Sequence, residues 1–308
     1  MSKTALLFAG QGAQVVGMGK SLAENSSTAK EWFDRANSVL GYDLTKICFE
    51  GPEAQLTNTE NAQPAIFLVG WIAFQLLLER RPALKYDATA GLSLGEFTAL
   101  AAAGALAFED GIRVVRQRGQ FMQQAGESTR GAMAAVIGLD ESATREVCAQ
   151  AGVELANLNC PGQIVISGEA DKMEKACELA RTKGAKKAMP LPVSGAYHSK
   201  LMSSAQPKLE SILGATSIKE PRVPVMSNVT AEPHSDPSSI RRRLVEQVTA
   251  PVRWEGSMRY LLGQGFTQFI ELGPGKALSG FMKRIDPNAR MLNIADSESL
   301  ESSAKALS

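Results

Sequence analysis

Apolar positions along the 308-residue chain fall into two alternating rhythms. Short runs of Val, Ile, Leu, Ala and Phe, punctuated by glycine, at 5–8, 88–90, 132–137, 153–156, 164–167, 187–191, 225–227 and 267–271 predict strands. Between most of them, apolar residues recur three and four apart at 31–40, 64–80, 108–125, 141–151, 171–183, 200–213, 240–248 and 254–262, which predicts helices. The alternation predicts an α/β fold with a mostly parallel sheet. The middle breaks step, running strand, helix, strand, strand, helix, strand over 132–191. This βαββαβ order is that of a ferredoxin-like unit. It places a small inserted domain at 128–194, between polar Gly126-Glu127-Ser128-Thr129-Arg130-Gly131 and Leu191-Pro192-Val193-Ser194. The large domain is then discontinuous, covering 1–127 and 195–308. The polar tail 297–303 is expected to be frayed or peripheral.

The most apolar stretch, 65–78, falls short of the roughly 20 residues that cross a bilayer and reads as a buried core helix. With 44% hydrophobic and 21% charged residues, the chain can bury a sizeable core. A formal net charge of +1 gives no general attraction for nucleic acid or membrane. Cys48, Cys148, Cys160 and Cys177 form no CxxC pair, which predicts reduced, unligated thiols and a reducing compartment such as the cytoplasm. The opening 3–10 has too short an apolar run for a signal peptide.

Chemistry enters at Gly91-Leu92-Ser93-Leu94-Gly95, between the strand-like 86–90 and the helix-forming 96–103. A sharp strand-to-helix turn lifts a serine hydroxyl clear of the sheet, and flanking glycines keep side chains out of its way. The glycine-rich Phe8-Ala9-Gly10-Gln11-Gly12-Ala13-Gln14 follows the first strand. It lacks the third glycine of a dinucleotide fingerprint, where Val15 stands, and the first glycine of a P-loop, where Gln14 stands. It reads as an oxyanion loop, with the Gln11 N–H working beside that of Leu94, the residue after the serine, or else as a plain turn. A serine nucleophile needs a base, and the chain has two histidines. His198 opens a helix well C-terminal to Ser93, in hydrolase-type order, although that position equally suits a capping or packing residue; His234, in Glu232-Pro233-His234-Ser235, has the look of an exposed turn. Arg118, in an otherwise apolar helical stretch, either snorkels to solvent or forms a buried fork for a substrate carboxylate. Gly273-Pro274-Gly275-Lys276 ends the last strand, where such sheets hold ligands, and is otherwise a tight turn. Arg241-Arg242-Arg243, Lys276, Lys283 and Arg284 form either a solvated face or a docking surface for an acidic protein.

Taken with Arg118-Gly119, Met122-Gln123, Asn157-Leu158-Asn159-Cys160-Pro161-Gly162-Gln163, Ala196-Tyr197-His198-Ser199, Gln247 before Pro251-Val252-Arg253-Trp254, and Glu271-Leu272-Gly273-Pro274-Gly275, these motifs resemble the malonyl-CoA:acyl carrier protein transacylases across almost the whole chain. The resemblance implies an α/β-hydrolase-like large domain carrying the ferredoxin-like insert. It implies ping-pong transfer of malonyl from coenzyme A to the phosphopantetheine thiol of acyl carrier protein, in support of fatty acid synthesis, with no tightly bound cofactor and no metal. Ser93 and His198 would be catalytic, Gln11 and Leu94 the oxyanion hole, Arg118 the carboxylate site, and Asn159 a substrate neighbour. The Gln247 main-chain carbonyl would orient the histidine in place of a triad acid. Two positions depart from the family pattern: Leu92 where histidine is common, and Tyr197 where phenylalanine is common. A serine esterase or thioesterase, a polyketide-type acyltransferase using another extender unit, and a catalytically silent scaffold are the competing readings.

Overall fold

The computed structural model describes residues 3–193 and 195–307; Ser194, the expected end of the insert, lies outside the described residues. The fold is α/β and is organised around two four-stranded sheets. The first contains β1 (Lys3–Phe8), β2 (Ala88–Gly91), β7 (Phe266–Leu272) and β8 (Arg290–Ile294) in the order β2-β1-β7-β8, all parallel. β1 and β2 are nearly continuous apolar runs because helices cover both faces of a parallel sheet. The carboxyl ends of β1, β2 and β7 therefore emerge side by side, each feeding one of the glycine-containing loops.

The second sheet contains β3 (Gly131–Ile137), β4 (Glu154–Cys160), β5 (Gln163–Glu169) and β6 (Lys187–Pro190) in the order β4-β5-β3-β6, all antiparallel. Helices Glu141–Ala151 and Ala170–Thr182 pack against this sheet around a separate core that includes Val136, Val147, Ile166 and Ala176. The chain enters and leaves this unit at one place. A Cβ on Gly131 would lie 2.6 Å from the Ala196 nitrogen, so the crossing strands need a glycine there.

Helix Thr59–Arg80 runs through the main core and is long and apolar enough to cross a membrane, yet 83% of its apolar window is buried inside the fold. Pro64 has no N–H to give the Glu60 carbonyl one turn back, and Arg116 supplies the missing donor at 2.6 Å.

Three expectations differ from the structure. Residues 225–227 make no strand: Val225 forms a single bridge to Thr89 at the free edge of β2, and the chain then turns back so that Met226 pairs with Pro233. The helix expected over 200–213 is split into a 3₁₀ turn, Lys200–Ala205, and a helix, Gln206–Ala215, with Pro207 in the first turn of the second. The edge strand β8 was not anticipated. The tail is a helix, Ser297–Ala306, closed by reciprocal bonds between Asp296 and Ser299 and anchored by buried Leu300 and Ala304.

Candidate active site

β2 ends in the turn that carries Ser93, and helix Gly95–Ala102 starts two residues later. The backbones here are too close for side chains: a Cβ on Gly91 would sit 1.9 Å from the Gly95 carbonyl carbon, and one on Gly95 2.2 Å from the Phe8 oxygen. Ser93 adopts φ 52°, a left-handed conformation that costs a non-glycine residue about 1 kcal/mol or more. Asn228 stabilises it from both sides, its Oδ1 accepting the Ser93 N–H at 2.6 Å and its Nδ2 donating to the Gly91 carbonyl at 2.7 Å.

His198 lies just before the Lys200–Ala205 turn, also at positive φ (59°), with its Nε2 2.9 Å from Ser93 Oγ. Its Nδ1 is 2.8 Å from the main-chain carbonyl of Gln247. A carbonyl only accepts, so Nδ1 carries the proton and Nε2 is left as the acceptor for the serine hydroxyl. Gln247 caps the carboxyl end of helix Pro237–Glu246, where carbonyls have no partner within the helix. Burial, reinforced by the Arg118 charge, lowers the His198 pKa to about 4, against smaller opposing contributions from the Gln247 and Ala250 backbone. At neutral pH the ring is an unprotonated base.

Arg118, from helix Phe108–Ser128, does not snorkel: it is 1% exposed. Its Nη1 donates to Gln63 Oε1 at 2.6 Å, and its Nη2 donates to Gln247 Oε1 at 2.9 Å and to Ser93 Oγ at 3.2 Å. Its Nε–H has no partner among the described residues, so the planar group keeps a donor in reserve beside the one aimed at the serine. Burial lowers its pKa to about 10, opposed by the Glu96 and Tyr197 charges, and it stays a cation at neutral pH.

Ser93 and His198 line a cleft of about 540 Å³ between the two sheet units, together with Gln11, Leu92, Met122, Asn159 and Tyr197. The Gln11 N–H, and that of Leu94 at the head of its helix, have no acceptor among the described residues. The Gln11 side chain accepts from Thr59 at 2.8 Å, and burial raises the pKa of the neighbouring Tyr197 against the opposing effect of both. Asn159 is buried on β4, and its Oδ1 has no partner among the described residues. All seven predicted site residues are thus gathered around one cleft or its walls. Gln247 contributes more than its carbonyl: its Nε2 donates to the Ser93 carbonyl at 3.1 Å and to Glu96 Oε2 at 2.7 Å.

One expectation is corrected. His234 is buried rather than in an exposed turn, with its Nε2 2.8 Å from Glu96 Oε1. Of the two readings of the basic cluster, the solvated face is the one the structure fits: Arg242, Lys276, Lys283 and Arg284 are exposed, while Arg241 donates to the Leu213 and Thr216 carbonyls, Arg242 and Arg243 pair with Glu246, and Arg284 holds Gln163 and Pro161. Sequence reasoning missed Gln63, Glu96 and Asn228. Gln63 is a polar residue at the mouth of the greasiest helix, and Glu96 lies three residues after the serine.

Residues 5–288 match the family described as acyl transferase domain. A malonyl CoA-acyl carrier protein transacylase of Bacillus subtilis (strain 168) is 46% identical over 312 aligned residues, covering 100% of this chain and 98% of that relative. The enzyme of the same name from Staphylococcus aureus (strain MRSA252) is 40% identical over 306 residues, 98% of each chain. Among solved structures, the malonyl CoA-acyl carrier protein transacylase of Coxiella burnetii superimposes with a TM-score of 0.96 at 37% identity, covering 99% of this chain and 98% of that one. A malonyl-transacylase in complex with its type II PKS acyl-carrier protein does so with a TM-score of 0.96 at 36% identity, covering 99% and 100%.

Proposed function

Because this chain belongs to the acyl transferase domain family, we propose that it is a malonyl-CoA:acyl carrier protein transacylase that works through an ester on Ser93. The observation that carries the reading is the placing of Ser93 Oγ between a neutral histidine at 2.9 Å and a buried guanidinium at 3.2 Å. The malonyl carboxylate pairs with Arg118, where the unpartnered Nε–H and the Nη2 group offer a fork that a lysine could not. That pairing brings the thioester carbonyl carbon to Ser93. His198 Nε2 takes the hydroxyl proton as Oγ attacks, and the oxyanion forms against the Gln11 and Leu94 N–H groups, each worth about 3 kcal/mol. Collapse breaks the carbon–sulfur bond, and the departing coenzyme A sulfur takes the proton back from His198. The carrier's phosphopantetheine thiol then runs the sequence in reverse, giving its proton to His198 as its sulfur displaces Ser93. Gln247 holds the ring through both halves from its main-chain carbonyl. Each proton passes between His198, Ser93 and the two thiols, so these steps call on no cofactor or metal. Asn159 lines the path of the thioester chain.

The same reading takes 1–127 with 195–308 as an α/β-hydrolase-like domain and 128–194 as a ferredoxin-like insert, supported by the all-antiparallel order β4-β5-β3-β6 with two helices on the sheet. Four buried, unpaired thiols and an apolar helix packed within the core support a soluble, cytoplasmic setting.

Intact-protein mass spectrometry after mixing with malonyl-CoA tests the reading. A malonyl adduct that Ser93→Ala abolishes, and that acyl carrier protein discharges, is expected. An adduct lost to water alone would make the protein a hydrolase, and the absence of any adduct would overturn the assignment.

A further inference from the structure

Glu96 is fully buried beneath the elbow, and both its oxygens are engaged. Oε1 faces His234 Nε2 at 2.8 Å, while Oε2 accepts from Gln247 Nε2 at 2.7 Å and from the Asn228 N–H at 3.0 Å. These bonds decide the sense of the Gln247 amide. Its NH₂ faces the carboxylate, so its oxygen faces Arg118 Nη2. The guanidinium is held in the same way on its other side. Gln63 Oε1 takes Nη1, Gln63 Nε2 donates to Thr59 Oγ1 at 3.0 Å, and the Thr59 hydroxyl donates on to Gln11. Arg118 is therefore clamped between two amide oxygens, each oriented from behind. A carboxamide flipped by 180° would turn a donor on the cation, and at Gln247 it is the Glu96 carboxylate that opposes the flip.

We propose that Glu96 is a positioning residue for acyl selection: by fixing the Gln247 side chain it holds the Arg118 fork against the acyl group on Ser93. This rests on the reading of Arg118 as the carboxylate site. Glu96 touches neither the serine hydroxyl nor His198, and the main-chain carbonyl that orients His198 is a separate group of Gln247. Losing the relay therefore affects acyl preference more than it affects the base. Glutamine at position 96 can replace the relay, because its oxygen accepts from Gln247 and its NH₂ meets His234 in the other tautomer.

The test compares kcat/KM for malonyl-CoA and acetyl-CoA, with acyl carrier protein as acceptor, in the full chain. Glu96→Ala is expected to lower the malonyl-to-acetyl ratio about tenfold, the effect of one misplaced charged hydrogen bond, and Glu96→Gln to restore it to within about threefold. A ratio unmoved by Glu96→Ala, or lost equally in Glu96→Gln, overturns the proposal. Should Glu96→Ala not fold, Gln247→Leu severs the relay and keeps the main-chain carbonyl. The ratio should then fall while the acid limb of the pH profile stays in place, and an unchanged ratio again overturns the proposal. A wild-type enzyme with no preference for malonyl would remove the Arg118 reading itself.

Discussion

Replacing Arg118 by alanine removes a cation that is buried to 99% and that reaches Gln63, Gln247 and Ser93 at once. In the unloaded site three of its contacts are already satisfied, so a malonyl carboxylate gains chiefly the idle Nε–H and exchanges the bond to Ser93. One net charge-assisted bond is worth about 2–3 kcal/mol, or roughly 30- to 150-fold in kcat/KM for malonyl-CoA. Acetyl-CoA makes no such bond and should change by less than about threefold, so the ratio of the two collapses. The same substitution has a second readout. The Arg118 charge helps to hold His198 down at about 4, so its removal moves the acid limb of kcat/KM to higher pH. Arg118→Lys separates the two effects: the charge remains and keeps the limb low, but a point charge recovers only part of the preference. Steady-state transfer assays with both thioesters between pH 4 and 8 read everything. An unchanged acetyl-to-malonyl ratio in Arg118→Ala would refute the carboxylate role, and an unmoved acid limb would refute the coupling to His198.

Three further outcomes can be checked. His198 titrates at about 4 when folded and near 6.5 when unfolded, so on acidification only the unfolded chain takes up the proton; about 3 kcal/mol of stability is lost between pH 6.5 and 4, and denaturant melts of His198→Gln should lack that slope. Asn228→Ala leaves the Ser93 N–H and the Gly91 carbonyl unpaired, which should destabilise by about 2–4 kcal/mol and slow acylation; a variant with wild-type stability and rate would show that the elbow holds its own conformation. All four cysteines are buried with pKa values raised by burial, Cys48 and Cys148 to about 12, so iodoacetamide at pH 8 should leave activity intact, and rapid inactivation would contradict their placement.

What could be read from the sequence was local in the chain. Ser93 announced itself through two glycines and the strand and helix around it, and the close approaches at Gly91 and Gly95 are the physical reason that pattern is needed. Arg118 was visible as a charge in an apolar stretch, but nothing in its own helix chooses between solvent and a buried clamp; that depends on Gln63, 55 residues away, and Gln247, 129 away. His234 looked exposed because its neighbours are Pro233, Ser235 and Asp236, whereas its partner Glu96 is 138 residues distant. The Gln247 carbonyl carries no side-chain signal, since any residue has one; only the end of helix Pro237–Glu246 makes it free to accept. The tail helix was legible after all, because Asp296 and Ser299 stand three apart as a capping pair and Leu300 and Ala304 share a face.

The use of a carbonyl in place of a triad acid follows from the charge the pocket must hold. Arg118 contributes one positive charge from a side chain that is itself buried, and a malonyl carboxylate pairs with it directly while His198 stays neutral. An aspartate on Nδ1 would add a further anion near the guanidinium. It would compete with the acyl carboxylate for the cation and raise the His198 pKa, and burying the surplus charge would be expensive. The Gln247 carbonyl fixes the same tautomer with a dipole alone, at the negative end of a helix, and still favours the imidazolium that forms during attack. The carboxylate the site does contain, Glu96, has both oxygens turned to His234, Asn228 and Gln247, so its charge favours the cation from a distance while its hydrogen bonds reach the guanidinium only through an amide. An aspartate introduced at the Nδ1 side of His198 should therefore weaken malonyl transfer more than acetyl transfer. An enzyme that gained on both would show that the balance of charge is not what excludes the acid.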